Sequence, residues 1–460
     1  MVKRNPIFYD EERRRWRRTR RVLEVSGVLF TLIVIVFFFN MVRRPNLPEL
    51  LLPQRGQMYR PVPPRPAAAK LKRANYRPGR SRKVAALGNI PEQYDPLRAA
   101  FYVNWDSNSL ASLELHYHDI DLLIAEELHA FTPDGSLAVD KDPKLDAWLK
   151  TLNTELPMMP LLNNYDGSNW QVQSMADMLA RPDSRQRLAS SLVQYAQSHK
   201  DAGIAVDFEE VPDTSQKHFV EFIRELGVAL HAANLKLMVG LPAADWAYDY
   251  KALGAGSDAI ILMNYDFHWP QSPAGPIVAQ DWYLKNLKAI VKMVPPQKIV
   301  MGIANYAYDW PSPTKIAPHP VADALSFQSA CVRALESDAT IQFDSASVSP
   351  FYNYEDENNN VHNVWMLDAL TAYNELRAAE RAGVQGTALW RFGSEDPSIW
   401  DIWDARRPND QTRAQLEAVP PGYDLILEGE GDLWRITATP QSGQRTFHYD
   451  PATDTFTDER

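Results

Sequence analysis

Eight short apolar runs beyond Leu97 set the strongest limit on how this chain folds: AAFYVNW, DLLIAEEL, LPMMPLLNNY, GIAVDFEE, LKLMVGLPA, AIILMNYDF, KIVMGIANYAY and GTALWRFGS. They are near-continuous rather than alternating, which is the pattern of parallel strands covered on both faces. Between several of them lie amphipathic stretches with helical spacing. The clearest are SRQRLASSLVQYAQSHKDA, SQKHFVEFIRELGVALHAAN and NVWMLDALTAYNELRAAERAG. Strands alternating with helices predict an α/β fold, a (β/α)8 TIM barrel. The interval from about Pro311 to His362 is too long for a plain strand-to-helix connection and predicts an inserted element.

The C-terminal ends of these runs carry polar and aromatic residues: Asn104-Trp105, Asn163-Asn164-Tyr165, Asp207 to Glu210, Asn264-Tyr265-Asp266, Asn305-Tyr306 and Trp390-Arg391. In such a barrel those ends share one mouth, where active sites form. The fourth run is the most informative. With a strand period of two, Ala205, Asp207 and Glu209 share one side, and Ile204, Val206 and Phe208 the other. The bulky set suits the helix layer, leaving the small and acidic set facing the lumen. Two inward carboxylates one residue apart couple, and burial with like charge raises at least one pKa. Such an acid protonates a leaving oxygen near neutral pH. A solvated strand end, or a carboxylate paired to a barrel arginine, is the competing reading of this stretch alone. Glu210 alternates away from Glu209 and reads as surface charge.

Outside the barrel the composition changes. Arg13, Arg14, Arg15, Arg17, Arg18, Arg20 and Arg21 precede VSGVLFTLIVIVFFFNMV, residues 25–42, which carries no charge. At 1.5 Å per residue this segment spans about 27 Å, close to the hydrocarbon thickness of a bilayer. It predicts an uncleaved single-pass signal anchor with residues 1–24 in the cytoplasm and the rest outside, periplasmic or extracellular. Residues 43–97, rich in Pro and Arg, predict a tether that extends rather than packs. Its charge suits anionic lipid or an acidic envelope polymer, and equally a plain soluble spacer. The barrel is assigned to 98–418. The tail from 419 to 460 alternates polar and apolar residues and predicts a small β-rich extension of two or three antiparallel strands.

Composition excludes some functions. The formal net charge of -10 argues against nucleic acid as partner of the main body. The single cysteine, Cys331, excludes an intrachain disulfide and is uninformative about compartment. His116 and His118 have no partner histidine at ligand spacing, so no metal site and no cofactor are expected. There is no P-loop and no nucleophile elbow of G-x-S-x-G type. Aromatic residues make up 11% of the chain, and Trp105, Trp170, Trp246, Trp269, Trp310 and Trp365 fall in predicted loops. Sugar rings stack on such faces, although packing is the commoner role of any one tryptophan.

GIAVDFEE resembles the catalytic strand of glycoside hydrolase family 18, whose pattern is DGxDxDxE. MNYDFHW is similar to that family's MxYD stretch, MGIANYAYDW to its seventh strand, and TALWRFG to its eighth. The resemblance covers roughly Leu97 to Trp403, and the order of the pieces is specific. It implies a chitinase-like glycosidase. Carried over residue by residue, Glu209 matches the general acid, and Asp207 the carboxylate that steers the substrate acetamido group. Tyr265 matches the tyrosine that hydrogen-bonds that group, Asp266 a substrate-binding neighbour, and Trp390 the aromatic platform under the reacting sugar. Asn264, Trp105 and Tyr306 join these as expected substrate-binding residues. Ala205 and Ala202 depart from the family's two leading aspartates, which puts the rate in doubt more than the reaction type.

The expected activity is substrate-assisted, retaining hydrolysis of a β-1,4-linked polysaccharide containing N-acetylglucosamine, peptidoglycan or an exported amino-sugar polymer. The alternative is a catalytically weak, lectin-like barrel that binds or guides such a polymer, which Ala205 favours. The tail resembles the region after the family 18 module in bacterial envelope proteins that continue into a polysaccharide deacetylase and a glycosyltransferase. Those two enzymes are therefore the expected partners.

Overall fold

A computed structural model of the chain describes Thr31, Arg60–Pro61, residues 96–152, 155–313, 320–344 and 346–403, and five strands between Gln415 and Asp458. The chain divides into two compact units, Met1–Gly56 and Gln57–Arg460. In the first only Thr31 is described, within a helix, so the anchor expected at residues 25–42 lies outside the described residues. Among the described residues no helix is long and apolar enough to cross a membrane.

In the second unit each of the eight apolar runs forms a parallel strand. They are β1 (Leu97–Tyr102), β2 (Leu122–His129), β3 (Met158–Asn163), β4 (Gly203–Asp207), β5 (Lys236–Pro242), β6 (Ala259–Met263), β7 (Ile299–Ala304) and β8 (Gly386–Trp390). Strand β8 pairs with both β7 and β1, and β1 pairs with β2, so the sheet closes on itself. The outer helices are α1 (Ser107–His116), α2 (Pro143–Leu149), α3 (Val172–Ala180), α4 (Pro182–His199), α5 (Gln216–Ala232), α6 (Tyr250–Gly256) and α7 (Gln280–Ile290). Helix α8 (Phe327–Glu336) lies in the insertion and α9 (Ala369–Arg381) precedes β8.

Two apolar layers explain the closure. Ala99, Ile124, Leu161, Ala205, Ile261 and Ala388 pack together inside the barrel. Ile204, Val206 and Phe208 belong to the larger core between strands and helices. The alternation expected of GIAVDFEE is therefore observed. Helix α5 meets that outer layer with Phe219, Phe222, Ile223, Leu226 and Leu230, a stripe at helical spacing. Phe222 stacks on Phe208, ring centroids 5.8 Å apart. Burying each such ring contributes roughly 1.5–3 kcal/mol.

Three sequence expectations change. The third amphipathic stretch is helical only from Ala369, because Val361–Met366 is a strand paired antiparallel with Ala307–Pro311. Asp368 starts the helix: its carboxylate accepts from Thr371 N, while Thr371 Oγ1 accepts from Asp368 N. Periodicity alone misses that switch. Both strands belong to the expected insertion, an antiparallel sheet covered by α8 with its own core of Phe327, Cys331, Tyr352 and Val364. Asp309 is buried inside it, accepting from Tyr354 Oη at 2.6 Å and meeting His362 Nδ1 at 2.8 Å and the Arg333 guanidinium. Next, Arg60–Pro61 of the expected tether pairs with Tyr354 and Glu355 of the insertion, so that segment is not wholly unpaired. Finally, the C-terminal sheet has five antiparallel strands, the first of which, Gln415–Val419, begins inside the segment assigned to the barrel. The fourth and fifth strands come from RTFHYD and TFTD, runs short enough to read as turn flanks.

Candidate active site

Asp207 is the last residue of β4, in register with Asn163 of β3. It is 9% exposed, and its Oδ1 has no hydrogen-bond partner among the described residues. The carboxylate lies against Gly240 of β5, where a Cβ would come 2.7 Å from Oδ1. Only glycine leaves that space. Burial, followed by the negative charge of Glu126, pushes the Asp207 carboxyl up to about 7.

Glu209 follows two residues on, half-buried, with its backbone clamped by a single side chain. Its N–H donates to Asn164 Oδ1 at 2.9 Å, and its carbonyl accepts from Asn164 Nδ2 at 3.1 Å. Asn164 is fully buried, so this amide fixes the backbone from which the Glu209 carboxyl projects. Burial pushes Glu209 up to about 8, reinforced by the charges of Asp207, Asp266 and Glu210. Neither Asp207 nor Glu209 has an ion pair among the described residues, which removes the arginine-paired reading. Both carboxyls stand well above the ordinary carboxylate range, so near neutrality the pair retains a proton. Glu210 is exposed, with φ at +56°, and touches the site only through its charge.

The end of β6 supplies the facing wall. The Tyr265 hydroxyl is held well above its ordinary range by burial and then by the charges of Asp207, Asp266 and Glu209. Asp266 Oδ1 accepts from Tyr306 Oη at 2.5 Å and Tyr308 Oη at 3.1 Å. Burial raises the Asp266 carboxyl to about 6 against the opposing effect of those two bonds. Trp390, at the end of β8, packs on the lumen layer with its edge to Phe101, centroids 5.1 Å apart. Trp105 is 61% exposed after β1. Its Nε1 donates to Glu126 Oε2 at 3.2 Å, and the Arg391 guanidinium covers its ring at 4.2 Å.

Asp207, Glu209, Tyr265, Asp266, Tyr306, Trp390 and Trp105 are thus gathered at the C-terminal ends of the strands. Asn264 is not. It is fully buried and turned outward, its Nδ2 donating to Tyr283 O and its Oδ1 accepting from Asn286 Nδ2, both on α7. Alternation places residue 264 opposite Tyr265, so its substrate role is withdrawn. Of the loop tryptophans, Trp246 and Trp269 are exposed, Trp310 is buried packing, and Trp365 stacks on Phe351. His116 bonds Asp119 and stacks on Trp400. Glu126 escapes the sequence reading of the site, as does the clamp that Asn164 makes on Glu209. Asn164 directly follows a strand, and Glu126 is the third inward position of LLIAEELH after Leu122 and Ile124. The strand period was an available signal for the inward direction of Glu126, but not for either contact.

The chain is 27% identical over 285 residues to the cortical fragment-lytic enzyme of Bacillus cereus, a match covering 58% of this chain and 64% of that protein. It is 25% identical over 310 residues to the "uncharacterized glycosylase YvbX" of Bacillus subtilis (strain 168), covering 65% and 88%. Among solved structures, a chitinase from Chromobacterium violaceum ATCC 12472 superposes with a TM-score of 0.61 at 28% identity, covering 67% of this chain and 98% of that one. The matches span 56–64% of the length of several of these curated relatives. The family model for glycosyl hydrolases family 18 matches residues 98–395. This chain therefore belongs to family 18 of the glycosyl hydrolases.

Proposed function

We propose that the chain is a membrane-anchored glycoside hydrolase acting outside the cytoplasmic membrane on a β-1,4-linked polysaccharide that contains N-acetylglucosamine. The observation that carries this reading is the Asp207–Glu209 pair at the end of β4, with no ion pair among the described residues and with the charges of both felt by the Tyr265 hydroxyl. Such a pair stores one proton near neutral pH, beside a carboxylate free to meet a developing positive charge.

The steps follow from those positions. Protonated Glu209 gives its proton to the glycosidic oxygen, and the C1–O bond breaks. The sugar's own acetamido oxygen bonds C1, so no protein nucleophile is required. Asp207 accepts from the acetamido N–H as positive charge develops there, and the Tyr265 hydroxyl orients the group. Glu209, now ionised, takes a proton from water as that water opens the oxazolinium ring. The product retains the anomeric configuration.

Relatives named for cortical fragment lysis and for chitinase activity favour peptidoglycan or an exported amino-sugar polymer as substrate. The uncharged segment at residues 25–42 behind its arginines supports anchoring, with residues 98–460 outside. A polysaccharide deacetylase and a glycosyltransferase are the partner enzymes expected in that setting. A weakly catalytic, lectin-like barrel is the second reading, favoured by Ala205, which leaves β4 one acid short in the lumen.

The test is digestion of chitooligosaccharides and peptidoglycan glycan fragments by the full chain, read by mass spectrometry. Cleavage that disappears in Glu209→Gln supports the hydrolase. Binding without cleavage by the wild type selects the lectin.

A further inference from the structure

Glu126 is an acid at the barrel mouth that the steps above leave unused. Leu122 and Ile124 of β2 lie in the lumen layer, and the strand period directs Glu126 into the same space. Its lateral register runs from Glu126 to Leu161 of β3 and on to Ala205 of β4. Glu126 therefore occupies the same rung as Ala205, two strands away, where β4 offers only a methyl group.

Three side chains fix it. Tyr165 N donates to Asn163 Oδ1 at 3.1 Å, and His129 Nδ1 meets the same oxygen at 2.7 Å. The Asn163 Nδ2 is thereby turned to Glu126 Oε1, to which it donates at 3.0 Å. Trp105 Nε1 donates to the other oxygen. Asn163 is itself the register partner of Asp207, so the two acids flank one locked amide.

We propose that Glu126, reaching in from β2, is the third acid of the site: a positioning residue that sets the charge and orientation of Asp207. The proposal rests on the hydrolase reading and deepens it. Of the groups around Asp207, Glu209 lies on its own strand, Tyr265 comes from the end of β6 and Tyr248 from the loop after β5, both feeling its charge. Asp266 acts on Glu209, and His129 reaches only to Asn163. Glu126 thus places a like charge on the barrel side of Asp207, with no cation paired there among the described residues. Asp207 keeps its proton, or loses it to solvent, and the ionised carboxylate then accepts from a donor at the mouth. The acetamido N–H of a bound sugar is such a donor.

The full chain is assayed on a chitooligosaccharide across pH, comparing wild type, Glu126→Gln and Trp105→Phe. Turnover needs Asp207 ionised and Glu209 protonated, so the lower step of the pair sets the acid limb of the profile. Removing the Glu126 charge moves that limb to lower pH by about half a pH unit or more, and leaves the alkaline limb in place. Trp105→Phe, which removes one contact but keeps the charge, alters KM and moves neither limb. The second measurement needs no turnover: carbon NMR titration of the Asp207 carboxyl, assigned with Asp207→Asn, gives a lower midpoint in Glu126→Gln. An unmoved midpoint, or equal loss of rate at every pH, overturns the proposal and leaves the hydrolase reading standing. Absence of cleavage by the wild type overturns the hydrolase reading instead, and the titration still decides whether Glu126 governs Asp207.

Discussion

Glu209 has two properties that a proton donor needs: a backbone locked by Asn164, and a carboxyl kept protonated by burial and three neighbouring acids. Glu209→Gln keeps the shape and removes the proton, so kcat falls by about 10²–10⁴-fold with KM close to wild type. In the proposed mechanism Asp207→Asn removes the charge that stabilises the positive intermediate, and kcat falls by about 10²–10³-fold. It also has a pH signature. The Asp207 charge raises Glu209, so its loss lowers the Glu209 midpoint and moves the alkaline limb to lower pH. A profile scaled down without that movement would show that the two acids do not communicate.

At the scale of elements, the site depends on how neighbouring strands meet. Gly240→Ala places a Cβ 2.7 Å from Asp207 Oδ1 and 3.2 Å from its Cγ, so the carboxyl must rotate. Turnover by Gly240→Ala falls at least about tenfold, since misplacement of a catalytic group by 1 Å costs up to about 10²-fold. Unchanged turnover, with a fold confirmed by circular dichroism, would remove Gly240 from its role. Much of this level was legible in the sequence. All eight barrel strands, the insertion and the inward face of β4 follow from apolar runs and the period of two. Asn264 was misread because a polar residue at a strand end suggests the mouth, whereas its alternation sends it to α7. Glu126, and the clamp that Asn164 makes on Glu209, were missed because their meaning is lateral. Only register across β2, β3 and β4 brings Glu126 level with Ala205, and no single run shows that. The start of α9 was obscured because NVWM fits either an amphipathic helix or an insertion strand, and pairing with Ala307–Pro311 decides it.

For the whole molecule, the site has a thermodynamic cost that pH reveals. Asp207 and Glu209 move from ordinary values of 3.8 and 4.5 to about 7 and about 8 on folding. Between those limits the folded chain holds more protons than the unfolded one, so their contribution to stability falls as pH rises from about 4 through about 8. Asp201 and Asp396, both raised to about 7 chiefly by burial, act in the same direction. Asp207→Asn removes part of this slope. Its melting temperature relative to wild type rises between pH 5 and pH 8, by at least about 2 °C. A difference that is constant with pH would contradict the burial of an ionisable Asp207. If these acids carry the proposed chemistry, stability given up at them is the expected trade in an enzyme.

The most direct test of the central claim is the anomeric configuration of the first product, followed by proton NMR while the full chain cleaves a chitooligosaccharide. Attack by the sugar's own acetamido group, with Glu209 as the only proton donor, predicts a β-anomer that mutarotates afterwards and is absent in Glu209→Gln. An α-anomer at the start, or a β-anomer formed equally well by Glu209→Gln, contradicts the account.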